Sequence, residues 1–312
     1  MKSAIIVGGN GLIGRALVEE LIKEEISILI LGSSKEMHEN IKKIKNSKIE
    51  YYQIKNQKFW LEETIKDIKK KIVPEECVFF NLAWRGKTGL VDGGIEDQLG
   101  NVSLSCELVK LTQQLGIKKY VATGSMEELK FKRYVEGDYW LNPNESIKAN
   151  WYALSKVSAL MQSSFEAYHD KIDFCYVRIS VVIDINLNTN KFVENSLKSL
   201  LKTSKTNVPK TNELCNISSS SEIGKQLIEI GKSGLNKRIY TLGTGDSASL
   251  GDYFNKFAKM AHPQLNIPES NSKSEISLLK KEDFDTKYLT LDTGYEPKET
   301  SEILFNRLIR TS

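Results

Sequence analysis

At 312 residues the chain exceeds what one ordinary hydrophobic core fills, which points to a large α/β domain with an appended lobe or to two domains. An apolar share of 40% beside 27% charged residues excludes a disordered chain, and no apolar run is long enough to span a bilayer, so a soluble protein with no membrane partner is expected. The net charge of +4 is spread through mixed-sign segments, and the run Lys69-Lys70-Lys71, bracketed by Glu62, Glu63, Asp67, Glu75 and Glu76, reads as a solvated helix end and not as a nucleic-acid surface.

Residues 3–7 read as a short buried strand running into Gly8-Gly9-Asn10-Gly11-Leu12-Ile13-Gly14, after which apolar residues recur at helical spacing as far as Ile22. Glycine is needed there because the chain must bend tightly, let its backbone approach a phosphate, and pack the helix closely on the strand. The helix N-terminus then offers unpaired N–H groups and the positive end of its dipole. Set directly between strand and helix, the turn is expected to hold the pyrophosphate of a nicotinamide dinucleotide through Gly8, Asn10, Gly11, Leu12, Ile13 and Gly14. A second buried strand at 26–32 ends in Ser33-Ser34-Lys35, where an NAD-selective protein shows an acid for the ribose hydroxyls. Two hydroxyls and a cation suit a 2′-phosphate, so NADP is the expected cofactor; NAD is the other reading, with Lys35 then simply opening a solvated helix.

Strands at 49–54, 77–83, 120–123 and 173–182 alternate with helices at 61–71, 101–115 and 149–168. That alternation predicts right-handed βαβ crossovers and a Rossmann-type, doubly wound parallel sheet covered on both faces. The fourth strand ends in Asn81-Leu82-Ala83-Trp84-Arg85-Gly86. Arg85 is a candidate ligand contact because open α/β sheets bind ligands at the C-terminal ends of their strands, while Trp84 reads as pocket wall or as core packing. From about residue 184 the pattern changes to Asn- and Thr-rich turns, a helix at 192–202, the serines 218–221, a strand at 238–242 and a Pro/Ser-rich loop near 263–274. The expected organisation is a dinucleotide-binding domain over 1–182 and a smaller C-terminal α/β substrate lobe over 183–312, with one or two strands returned to the main sheet.

The glycine turn satisfies two spacings, Gly9-x-Gly11-x-x-Gly14 and Gly8-x-x-Gly11-x-x-Gly14, and two features downstream select the second. Tyr152-Ala153-Leu154-Ser155-Lys156 puts Tyr152 and Lys156 on one helix face, and the strand before it ends in the hydroxyl of Ser125. In this order the three motifs resemble the extended short-chain dehydrogenase/reductase family, in its NAD(P)-dependent epimerase/dehydratase branch that works on nucleotide-linked sugars. Asn101, Gly124-Ser125-Met126-Glu127, Tyr176-Val177-Arg178, the run 240–245 leading to Leu250, and residues 291–297 extend the likeness along nearly the whole chain.

The resemblance implies Tyr152 as general acid or base, its pKa brought down from about 10 by Lys156 and the nicotinamide charge. Lys156 would also hold the nicotinamide ribose, and Ser125 would donate to the oxygen that gains charge. It sets Leu82 and Ala83 against the cofactor, Gln53 and Ile54 at the adenine with an amide in place of the usual acid, and Trp84, Arg85, Met126 and Glu127 on the substrate side. Glu127 reads as a second proton-transfer group or as a charge that fixes a loop, and Asn150 as a substrate contact or a helix cap. The branch's 4,6-dehydratases carry Asp-Glu directly after the catalytic hydroxyl. Met126-Glu127 lacks the acid that protonates the departing water, which speaks against a dehydratase. Ser180-Val181 and Ser221-Glu222 also depart from the family pattern and point to altered recognition of the substrate's nucleotide half.

The expectation is therefore a reductase that delivers hydride from NADPH to a keto group, at C4, of a nucleotide-linked sugar. An epimerase with tightly bound NAD and a non-catalytic nucleotide sensor are the alternatives. Relatives pair as homodimers through helices that include 149–168, where Ala153, Val157, Leu160 and Met161 would serve such a contact or plain core. Four scattered cysteines without a CxxC pair, and no signal peptide ahead of the first strand, suggest the cytoplasm. His38, His169 and His262 lie far apart, so no metal site is expected.

Overall fold

In the computed structural model, which describes residues 1–54, 62–86, 94–137, 147–189, 191–202, 213–264 and 277–311, strands and helices alternate through the first half of the chain. The order is β1 (Ser3–Val7), α1 (Leu12–Lys23), β2 (Ser27–Gly32), α2 (Glu39–Lys42), β3 (Ile49–Gln53), α3 (Glu62–Lys71), β4 (Cys77–Asn81), α4 (Ile95–Gln114), β5 (Lys119–Ser125), α5 (Glu127–Glu136), α6 (Ile147–His169) and β6 (Asp173–Ile179). Then come β7 (Val181–Ile183), α7 (Phe192–Lys202), β8 (Leu214–Cys215), β9 (Ile217–Ser219), α8 (Ser220–Ser233), β10 (Ile239–Leu242), β11 (Ala248–Ser249), α9 (Leu250–Ala261), α10 (Lys287–Thr293) and α11 (Ser301–Thr311).

Among the described residues, seven strands form one parallel sheet in the order β10-β6-β5-β4-β1-β2-β3. Successive side chains of a strand point to opposite faces, and both faces here are covered, which is why the strands read as unbroken apolar runs. Ala4, Ile6, Ile28, Ile30, Val78 and Phe80 pack under Leu17 and Leu21 of α1 and Ile223 and Leu227 of α8. Ile5, Val7, Leu29, Leu31 and Phe79 pack on the other face with Ile68 of α3, Leu108 and Leu111 of α4 and Ala167 of α6. The strand order reverses between β1 and β4, so a crevice opens at their C-terminal ends.

The strand expected at 173–182 is broken. β6 stops at Ile179, Ser180 Oγ accepts the Asn216 N–H, and β7 leaves the main sheet to pair with β9. The later segments build a separate core of Ile183, Leu197, Leu200, Ile217, Phe254, Phe257, Leu304 and Phe305. From that half of the chain α8 and β10 pack back onto the main sheet. Helix α4 begins at Ile95, six residues before the expected start. Leu61, expected to open the third helix, and residues 265–274 of the expected Pro/Ser-rich loop lie outside the described residues. No helix among the described residues is long and apolar enough to cross a membrane.

Candidate functional site

The glycine turn closes on itself between β1 and α1. Gly11 N–H donates to the Gly8 carbonyl at 3.0 Å and Arg15 N–H to the Gly11 carbonyl at 2.9 Å. Gly8 sits at φ +87°, and a Cβ there would meet the backbone of Ala83 and Leu82 at 2.8 Å. A Cβ on Gly14 would lie 2.3 Å from the Gly8 carbonyl oxygen. Side chains are thus excluded where β4, the turn and α1 converge, and no side chain caps the N-terminus of α1. This is a cradle of backbone N–H groups at a helix N-terminus, of the shape and polarity that a pyrophosphate requires. Leu82 and Ala83, expected beside the cofactor, form its wall, since the Leu82 N–H donates to the Val7 carbonyl at 2.9 Å.

Asn10 departs from a simple phosphate ligand. Its amide is engaged by the loop after β2, with Nδ2 donating to the Glu36 carbonyl at 3.1 Å and Oδ1 accepting the His38 N–H at 2.9 Å. Ser33, Ser34 and Lys35 stand exposed on that loop. Their backbone is pinned by Tyr51, whose hydroxyl donates to the Ser34 carbonyl at 2.7 Å, and by Ile54, whose N–H donates to the Gly32 carbonyl at 2.7 Å. Gln53 Nε2 reaches the Ser33 carbonyl at 3.4 Å. The loop therefore presents two hydroxyls and an ammonium on a fixed backbone.

At the ends of β5 and α6 the fold brings Ser125, Tyr152 and Lys156 together. Tyr152 is half-buried, with the Ser125 side chain beside it. Lys156, one turn along α6, is 3% exposed, and its Nζ donates to the Thr123 carbonyl at 3.0 Å. Burial penalises the charged form of each group. It raises the Tyr152 hydroxyl well above the ordinary tyrosine value, against a smaller opposing pull from Ser125, and it pushes the Lys156 ammonium down to about 7 although Glu128 favours the charge. The expected lowering of the Tyr152 pKa is thus reversed, because desolvation outweighs the pull of Ser125 and the nearby Glu128 and Glu127 carboxylates push the same way.

The carboxylate that organises this corner is Glu128. At 2% exposure it accepts the Ser125 N–H at 2.7 Å and the Tyr176 hydroxyl at 2.8 Å on Oε1, and Arg178 Nε at 3.1 Å on Oε2. Its signal was present in the sequence as Ser125-x-x-Glu128, the spacing by which a glutamate reaches back to a helix-opening backbone N–H. Glu127 is half-buried, its N–H donates to Ser125 Oγ at 3.2 Å, and burial raises its carboxyl above the usual range, with Glu213 adding to and Lys130 opposing the shift.

Of the residues expected on the substrate side, Met126 is 3% exposed and packs with Leu279 and Phe284. Arg85 is exposed, and both its backbone N–H and its carbonyl are held by the Asn101 side chain. Trp84 lies beside the catalytic candidates, with its ring centroid 5.8 Å from that of Tyr152 and 3.7 Å from Lys156 Nζ.

The fold has wide company among solved structures. UDP-glucose 4-epimerase from Thermotoga maritima, solved with UDP-glucose, superposes with a TM-score of 0.70 at 15% identity over 99% of this chain and 97% of its own. A dTDP-glucose 4,6-dehydratase from Bacillus anthracis, solved with NAD, gives 0.71 at 14% identity over 99% and 96%. An enzyme from Bordetella bronchiseptica in complex with NAD+ and UDP gives 0.70 at 13% over 99% and 91%. No curated protein sequence matches the chain. The sequence model of the NAD dependent epimerase/dehydratase family matches residues 4–214, which span the glycine cradle and the Ser125, Tyr152 and Lys156 corner, and the chain belongs to that family.

Proposed function

We propose that the protein is a ketoreductase that uses NADPH to reduce the C4 keto group of a nucleotide-linked sugar. The observation that carries this reading is Met126. A dehydratase needs an acid beside the catalytic hydroxyl, and this position holds an apolar side chain closed into a cluster with Leu279 and Phe284.

The cradle shaped by Gly8, Gly11 and Gly14 would take the pyrophosphate on the backbone N–H groups of Leu12 and Ile13, with Asn10 bracing the neighbouring loop. Ser33, Ser34 and Lys35 would meet a 2′-phosphate, and Gln53 and Ile54 would border the adenine. When bound, a reduced nicotinamide supplies hydride to the keto carbon. Tyr152, protonated throughout the neutral range, donates its hydroxyl proton to the carbonyl oxygen as charge builds there, and the Ser125 hydroxyl donates a hydrogen bond to the same oxygen. The Lys156 ammonium holds the ribose and stabilises the phenolate that Tyr152 leaves behind. Arg85 and Glu127 would face the sugar nucleotide.

Incubation with a panel of 4-keto sugar nucleotides should consume NADPH absorbance. Absence of turnover across the panel would sink the reading. An epimerase uses the same three side chains, and protein that purifies with tightly held NAD and inverts a hydroxyl without net cofactor use would replace the reductase with that alternative.

The reading includes a homodimer. Trp151, Leu154, Met161, Phe165 and Tyr168 recur at intervals of three, seven, four and three along α6 and are 37–70% exposed, beside Leu99 of α4 at 59%. Such a stripe suits a second copy of itself about a two-fold axis. Of the positions expected to pair, Ala153 is buried core and Met161 lies on the stripe.

A further inference from the structure

Two side chains behind the site take no part in moving hydride or proton and yet are fixed against it. Gln98, in the first turn of α4, is 1% exposed, and its Oε1 accepts the indole Nε1–H of Trp84 at 3.1 Å. Three residues on, Asn101 takes the Arg85 N–H on Oδ1 at 2.7 Å and donates from Nδ2 to the Arg85 carbonyl at 2.9 Å. Helix α4 thus grips the segment after β4 by a side chain and by the backbone. Held this way, the Trp84 ring is 3.7 Å from Lys156 Nζ and meets the Tyr152 ring edge-on at 80°. An aromatic face attracts a cation most strongly where water is excluded, as it is at Lys156.

Resting on the Tyr152 and Lys156 assignment above, we propose that Trp84, held by Gln98, is a positioning residue of this site: its indole face seats the Lys156 ammonium beside Tyr152 and favours its charged form against burial. Among the described residues the other groups that face Lys156 are few. Glu128 of α5 favours the ammonium, Tyr152 lies on the same helix, Thr123 of β5 supplies a carbonyl, and the Tyr176 hydroxyl of β6 reaches the Lys156 carbonyl at 3.5 Å. The Tyr152 ring also faces the ammonium, but at 5.8 Å it is the more distant of the two aromatic rings, so the indole face at 3.7 Å dominates.

The test is an NMR titration of carbon-13-labelled lysine in the full chain, with the Lys156 signal assigned by its loss in Lys156→Met. Trp84→Leu should lower the Lys156 midpoint by about one pH unit, and Trp84→Phe, which keeps a weaker ring, by about half as much. Gln98→Leu leaves the ring but frees it, and should also move the midpoint down. An unchanged midpoint in folded Trp84→Leu overturns the proposal. If that variant does not fold, an unchanged midpoint in both Trp84→Phe and Gln98→Leu overturns it equally. The readout needs no turnover. A shifted midpoint in a protein that neither binds NADPH nor reduces a keto sugar would keep the positioning role and reject the reductase.

Discussion

Lys156 lies one turn from Tyr152 on the same face of α6, and what the rest of the chain lays over it sets the charge it carries. Lys156 is charged below about 7 and neutral above, so kcat/KM for NADPH, which reports the free enzyme, should be level in mild acid and fall as pH rises through 7. A profile flat to pH 9 would show that the ammonium is not needed. The same shift has a stability sign. With the folded pKa below the unfolded one, the unfolded chain binds more protons between about 7 and the ordinary lysine value, so stability rises with pH across that window. Lys156→Met removes the penalty, and its thermal unfolding midpoint should exceed that of the wild type at pH 7 and lose this dependence. Tyr152 and Lys156 are legible in the sequence because a spacing of four on a helix puts both side chains on one face, whereas their desolvation depends on distant segments, and Glu128 is masked by Glu127 beside it. Only the start of α5 decides which of the two turns inward.

Among helices and strands, the first half of the chain was readable since both faces of a parallel sheet are covered and each strand shows as an apolar run between helical periods. The break after β6 was not, because Val181 and Val182 continue the apolar run and only the pairing of Ser180 with Asn216 turns the chain away. Helices α8 to α11 carry their apolar residues at helical spacing, but their role could not be read locally. Ile223 and Leu227 serve the main sheet, while Phe254 and Phe305 serve the second core. The junction of β1 and α1 makes the sharpest prediction. Gly14→Ala puts a Cβ 2.3 Å from the Gly8 carbonyl oxygen, so α1 must move off the turn. NADPH binding should weaken at least about tenfold and stability fall by about 1–3 kcal/mol, read by fluorescence titration and urea unfolding. Unaltered binding in a folded variant would show that the cradle does not hold the cofactor.

The assembled chain adds what no single segment holds. Residues 80 to 150 apart in sequence meet: Arg133 of α5 forms a two-pronged ion pair with Asp283, and Glu299 accepts the Ser219 N–H at 3.0 Å. Contacts at such separation leave no local pattern in a sequence. The exposed stripe on α6 likewise appears only once its neighbours are placed. Phe165→Lys should convert a dimer to a monomer in sedimentation velocity, while a wild-type monomer would contradict the pairing.

Ser125, Tyr152 and Lys156 over the glycine cradle are proposed to form a hydride-transfer site, and deuterium followed from the C4 position of labelled NADPH into a 4-keto sugar nucleotide, in wild type and in Tyr152→Phe, decides it. Deuterium should appear on the new carbinol carbon with the wild type, and the variant should be slower by about a hundred- to ten-thousandfold with NADPH binding unchanged. Equal rates of deuterium transfer in the two proteins would contradict it.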